Sequence, residues 1–284
     1  MGFKYAFNTW VYGSFPAWLP CHPIEDVIMR LASFGYDGIE IGCAAPHAFP
    51  AHLTQERRRS LKSLMNDQGI ACVSLLPAPG GGMGNNPASF EPEERRMAIA
   101  HYKEVVDLAH DLGAGRVLYV CGWRGFGIAQ AQAWDWTRSA LTEIATYAGD
   151  KGIEICIEPT PADSNLVDTV GDAIRLKAEA GATAKGAKIG LMFDTFHTLS
   201  RNESAQDSIA QLGAEMTHIH ISDSDRMPPG AGKIDWSGIL AALKVARFNG
   251  HLTMEIGFPY RNIDPDWVAR TAIGHLKQVE KSLA

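Results

Sequence analysis

Four side chains able to ligate a metal fall at matched places in the second half of the 284-residue chain: Glu158, Asp194, His220 and Glu255. Each ends, or nearly ends, a short β-rich run. The runs are Ile155-Cys156-Ile157-Glu158, Leu191-Met192-Phe193-Asp194, His218-Ile219-His220-Ile221 and Leu252-Thr253-Met254-Glu255. Alternate residues of a strand face opposite ways. Glu158 therefore shares a face with Cys156, His220 with His218, and Glu255 with Thr253, while the aliphatic residues take the other face. Two Glu, one Asp and one His make a hard, oxygen-rich set that suits Mn²⁺, Mg²⁺ or Co²⁺. Structural zinc would call for Cys or more His.

The elements that must position these residues alternate regularly. Strand-like runs span 5–10, 38–42, 71–75, 116–120, 153–158, 188–194, 217–222 and 251–256. Helix-length segments span 23–34, 54–67, 92–112, 130–148, 169–180, 204–212, 235–248 and 265–283. Glycine near the end of a helix is a stop signal, and it recurs at Gly35, Gly69, Gly113, Gly149, Gly181, Gly213 and Gly250. Strand–helix alternation implies parallel pairing. Eight such units of about 35 residues each fit a closed (β/α)8 TIM barrel, an α/β fold. One barrel domain is expected over 1–284. The first strand leads into Val11-Tyr12-Gly13-Ser14-Phe15-Pro16, which lacks the glycine pattern of a dinucleotide fold. In a barrel, the C-terminal strand ends carry the active site.

Composition narrows the function further. The chain has 32 acidic and 26 basic residues, a net charge of −6, which argues against a nucleic-acid partner. No run approaches the ~18 apolar residues of a membrane span, and none has signal-peptide character. The cysteines number five, an odd count, and are widely spaced with no C-x-x-C, so reduced thiols and a cytoplasmic location are expected. Two glycine-rich loops, 77–91 and 223–234, could cradle phosphate but read better as ordinary or lid loops.

Several strings resemble the xylose isomerase-like TIM-barrel superfamily of sugar isomerases and epimerases. Within it they resemble the ketose 3-epimerase group of D-tagatose and D-psicose 3-epimerases. They are Ile157-Glu158-Pro159, Asp194-Thr195-Phe196-His197, His220 with Ser222-Asp223-Ser224-Asp225-Arg226, Gly230-Ala231-Gly232-Lys233-Ile234-Asp235-Trp236 and Met254-Glu255. The match runs along residues 150–260, and the strand rhythm extends it to the whole chain. The resemblance implies that Glu158, Asp194, His220 and Glu255 hold one divalent metal, Mn²⁺ foremost, with Mg²⁺, Co²⁺ or Zn²⁺ as alternatives. It implies that Glu158 and Glu255 form the acid/base pair, and that His197 and Arg226 bind sugar hydroxyls. The expected reaction is C3 epimerisation of a free ketose through an enediolate. Aldose–ketose or hydroxypyruvate-type isomerisation, keto-inositol dehydration and sugar binding without turnover are the alternatives. An AP endonuclease on the same scaffold is disfavoured by the acidic balance and the single-metal ligand set. A small-molecule sugar partner and a homo-oligomer, dimer or tetramer, are expected.

Other residues carry weaker signals. Phe7 and Trp123 lie near strand ends, where aromatics can stack on a sugar or simply pack the barrel mouth. Glu40, in Gly38-Ile39-Glu40-Ile41-Gly42, reads as a structural hydrogen-bonding group, and His218 as a satisfied interior histidine. Asp223 or Asp225 reads equally as a group that orients His220 or Arg226 and as a solvated loop acid.

Overall fold

The structure is a computed structural model that describes residues 2–13, 21–78, 86–257 and 263–283. Its eight strands form one parallel sheet. They are β1 (Lys4–Asn8), β2 (Gly38–Gly42), β3 (Ala71–Leu76), β4 (Arg116–Val120), β5 (Glu154–Glu158), β6 (Lys188–Leu191), β7 (His220–Ile221) and β8 (His251–Met254). The order is β6-β5-β4-β3-β2-β1-β8-β7, so each strand lies beside its neighbour in sequence and β8 returns to β1. The ring closes between β6 and β7 through two isolated parallel bridges, Leu191 to Met216 and Asp194 to His220. The amide of Thr217 donates to the Leu191 carbonyl at 2.9 Å and that of His220 to Phe193 at 3.0 Å. This is the TIM barrel that the strand–helix rhythm predicts.

The helices are α1 (Ile24–Ser33), α2 (Gln55–Gln68), α3 (Pro92–Leu112), α4 (Gln130–Gly149), α5 (Val170–Gly181), α6 (Thr195–Ser200), α7 (Ala205–Leu212), α8 (Trp236–Val245) and α9 (Pro265–Ser282). Eight were expected; α6 is the addition. Asp194 starts it, because its carboxylate accepts the Phe196 amide as an N-cap. That turn follows β6 directly, so β6 stops at Leu191 rather than continuing to Asp194. The cap glycines behave as expected at α2 and α3, where Gly69 and Gly113 are left-handed at φ +65° and +80°.

Alternation along the strands divides the interior into two layers. Ile155, Ile157, Ile219, Ile221, Leu252 and Met254 join the apolar layer between sheet and helices. Trp10, Ala44, Leu76, Leu118, Cys156 and Met192 fill the barrel itself. The polar ends of β5, β7 and β8 therefore come out on the inner side. Ile155, fully buried in the outer layer, supports β5 without touching the polar cluster. Ile155→Ala is expected to cost about 2–5 kcal/mol in urea unfolding. Metal affinity should stay within about twofold of the parent, since the cavity opens on the opposite face of the strand.

Candidate metal and active site

Glu158 is the last residue of β5, His220 opens β7, and Asp194 and Glu255 stand just past β6 and β8. All four are buried. One ligand atom from each lies within 4.8 Å of the others, so the barrel brings the predicted set together. His220 is the pivot. Its Nε2 lies 2.8 Å from Glu40 Oε1, and its Nδ1 lies 2.9 Å from Glu158 Oε1 and 3.4 Å from Glu255 Oε2. With the Nε2 proton donated to Glu40, Nδ1 and the two carboxylates are all acceptors converging on one point. Such a convergence is stable only around a proton or a metal cation. The donor set thus fits a divalent ion bound by oxygen and one imidazole.

Arg226 supplies positive charge from the side. Its Nη1 donates to Asp194 Oδ2 at 2.5 Å and to Glu255 Oε2 at 2.7 Å, and its guanidinium lies 4.3 Å from the Phe196 ring centre. Asp225 and Arg226 both have left-handed backbones, at φ +58° and +57°. His197, on α6, is buried; its Nε2 lies 3.6 Å from Asp163 Oδ2, and its Nδ1 has no hydrogen-bond partner among the described residues.

The electrostatics split the two glutamates. Burial pushes the Glu158 carboxyl up to about 7, against the pull of His220 and with the help of the neighbouring Glu255 and Asp194. Burial also acts upward on Glu255, but Arg226 and His220 outweigh it and hold that carboxyl at about 2. His220 is raised well above its usual range: burial opposes its charge, but Glu40, Glu255 and Glu158 surround it. Burial lowers His197.

Not every predicted contact forms. Phe7 points away from the cluster into the outer layer, edge-on to Tyr12 and Tyr36 at 6.0 and 5.3 Å. The neighbouring residue, Asn8, has the inward face of β1, and its Nδ2 reaches Glu40 Oε1 at 2.7 Å and Glu255 Oε1 at 3.4 Å. Trp123 is 43% exposed on the loop after β4, held by its backbone to the Asn86 side chain at 2.6 and 3.1 Å. It belongs to the rim rather than to the cluster. Asp223 does not orient His220 or Arg226 through its side chain. Its carboxylate accepts from the amides of Ser224, Gly230 and Ile234 and from Trp236 Nε1. Three of that loop's amides are thus spent on an internal anion rather than left for phosphate. The other glycine-rich loop has residues 79–85 outside the described residues. His218 is an interior histidine, 2.9 Å from Glu40 Oε2. Glu40 proves central, and Asn8 was missed; the one sequence signal for Glu40 was a carboxylate inside an otherwise apolar strand.

Residues 28–279 match the profile of the family described as Xylose isomerase-like TIM barrel, and the chain belongs to that family. Among curated relatives, it is 27% identical to the fructoselysine 3-epimerase of Shigella flexneri, over 88% of this chain and 91% of the relative. It is 26% identical to the D-psicose 3-epimerase of Enterocloster bolteae, over 80% and 74% respectively. A solved D-psicose 3-epimerase from Clostridium cellulolyticum H10, crystallised with D-tagatose, superposes with a TM-score of 0.81 at 21% identity, covering 98% of this chain and 99% of that one. A solved 3-keto-D-glucoside 4-epimerase from E. coli gives 0.77 at 17% identity, over 98% of this chain. At these identities the two solved structures speak for the fold alone.

The cluster predicts a measurable ligand. Mn²⁺ at about 100 times its Kd should stabilise the EDTA-treated protein by about 2.7 kcal/mol, read as a rise in melting temperature, and Asp194→Asn should remove most of it. Metal and proton compete for Glu158 and for Nδ1 of His220, whose proton affinities are both raised, so metal affinity should fall as pH is lowered through neutrality. A pH-independent Kd would contradict the electrostatics described.

Proposed function

We propose that this chain is a metal-dependent sugar isomerase, and specifically a 3-epimerase of a free ketose. The reading rests above all on one observation. Two glutamates face the same Nδ1 of His220, and their environments drive their proton affinities apart, to about 7 for Glu158 and about 2 for Glu255. A pair split in this way supplies one proton donor and one acceptor at once. The family membership and the names of the curated relatives support the choice of substrate class.

In this reading Glu158, Asp194, His220 and Glu255 hold the ion, with Mn²⁺ foremost and Mg²⁺, Co²⁺ or Zn²⁺ as alternatives. When bound there, such an ion would supply Lewis-acid polarisation of a carbonyl oxygen. Glu255, kept ionised by Arg226, takes the C3 proton from one face. Glu158 returns a proton from the opposite face, and the centre inverts. The reverse reaction exchanges the roles. Arg226 and His197 hold sugar hydroxyls beside the carboxylates. Burial excludes bulk water from these groups, which limits loss of the intermediate. Trp123 on the rim offers an apolar face to the sugar. The chain is read as one domain over 1–284, assembling as a homo-oligomer, dimer or tetramer, in the cytoplasm.

The test is a ketose panel in D₂O with Mn²⁺. The expected product is an epimer of unchanged skeleton carrying one deuterium at C3. Glu158→Gln and Glu255→Gln should each lower kcat by about 10²–10⁴-fold while leaving the fold intact by circular dichroism. A product that has lost water, an aldose, or full turnover in either variant would overturn the reading.

A further inference from the structure

One buried group stands outside the ligand set and is bonded more heavily than any ligand. Glu40, on β2, is fully buried in the barrel. Its Oε1 accepts from Asn8 Nδ2 at 2.7 Å and from His220 Nε2 at 2.8 Å. Its Oε2 accepts from His218 Nε2 at 2.9 Å and from the Ser74 hydroxyl. A carboxylate offers about four acceptor sites, and here each has a donor. The donors come from β1, β3, β7 and His218 just before β7, so one side chain ties the inner faces of three neighbouring strands to the closing seam.

Glu40 is surrounded by side chains whose orientation is already fixed. Asn8 accepts the Trp10 amide at 2.9 Å through Oδ1, so its amide nitrogen must face the carboxylates. The same nitrogen touches Glu255 Oε1 at 3.4 Å. His218 stands edge-on to His220 at 5.3 Å and has Arg116 3.5 Å from its Nδ1. Glu40, His218 and His220 also lie close enough to suggest a second metal group. Their hydrogen bonds argue otherwise: Glu40's oxygens are all engaged by N–H and O–H donors, which leaves no lone pair for an ion.

We propose that Glu40 is the positioning residue of the metal centre, acting through His220 and, by way of Asn8, on Glu255. By accepting the Nε2 proton it fixes the His220 tautomer, turns Nδ1 toward Glu158 and Glu255, and makes that nitrogen a better donor to a metal. By accepting from His218 on its other oxygen, it keeps a second imidazole out of the ligand set. The proposal rests on the metal reading above.

The experiment compares the parent with Glu40→Gln, titrating Mn²⁺ against a fluorescent chelator. Glutamine keeps the shape but offers one acceptor oxygen where Glu40 has two. The Kd for Mn²⁺ is expected to rise about 10–100-fold, while kcat at saturating Mn²⁺ changes less than Kd does. An unchanged Kd beside a lower melting temperature in EDTA would overturn the proposal, since Glu40 would then serve folding only. Histidine ¹⁵N NMR on the Zn²⁺-loaded parent needs no variant and so survives a misfolded mutant. It should show His220 protonated at Nε2 and metal-bound at Nδ1; metal at Nε2 would overturn the proposal. A parent that binds neither Mn²⁺ nor Zn²⁺ would overturn the metal reading itself, an outcome distinct from a failure of Glu40 alone.

Discussion

Charge buried at the top of the barrel is the constraint around which the rest of the structure is arranged. Glu40, Glu158, Asp194 and Glu255 are all buried. A carboxylate away from water is tolerated only with partners that compensate its charge. Arg226, His220, Asn8, Ser74 and His218 provide that compensation, and each is itself buried or fixed by a second bond. Arginine suits the lateral position, because a single Nη1 serves Asp194 and Glu255 while the guanidinium plane lies over Phe196. A lysine ammonium would lose the stacking. The left-handed backbone at Asp225 and Arg226 shows that the chain accepts local strain to hold that cation in place. The Asp223 carboxylate, with its four donors, secures the loop that carries the strain.

Fold and site are not separable here. The seam between β6 and β7 is a short join made by two isolated bridges, with only two residues in β7. One of its two bridges pairs Asp194 with His220, so two of the converging side chains also close the barrel. Asp194 has a third task as N-cap of α6, the helix that carries His197. The backbone that completes the cylinder and the side chains that gather at its mouth are therefore set by the same few residues.

Most of the barrel was legible because its signals are local. Alternation at Ile155-Cys156-Ile157-Glu158 sorts inward from outward residues, and Gly69 and Gly113 mark helix ends. The four strand-end ligand candidates followed from the same rule. What escaped was decided by geometry across strands. Phe7 and Asn8 are adjacent, and one residue of phase exchanges the faces they occupy. Sequence chemistry favoured the aromatic, whereas the barrel turned the amide inward. Helix α6 escaped because its start depends on Asp194 acting as a cap, in a run whose composition reads as strand. Asp223 was read as a partner for His220 or Arg226, but the loop's own amides reached it first.

Glu40 shows why a lone carboxylate in an apolar strand is hard to weigh from sequence. Its partners come from β1, β3 and β7, up to 180 residues away, and no short window contains them. The structural hydrogen-bonding role expected of it is correct as far as it goes. Yet a structural bond to a free imidazole nitrogen also dictates what the opposite nitrogen can do. Once Nε2 of His220 is committed, Nδ1 is the nitrogen left for a proton or a metal, and it faces two glutamates that differ in proton affinity. The geometry at the mouth is thereby tied to a carboxylate that is itself fully buried.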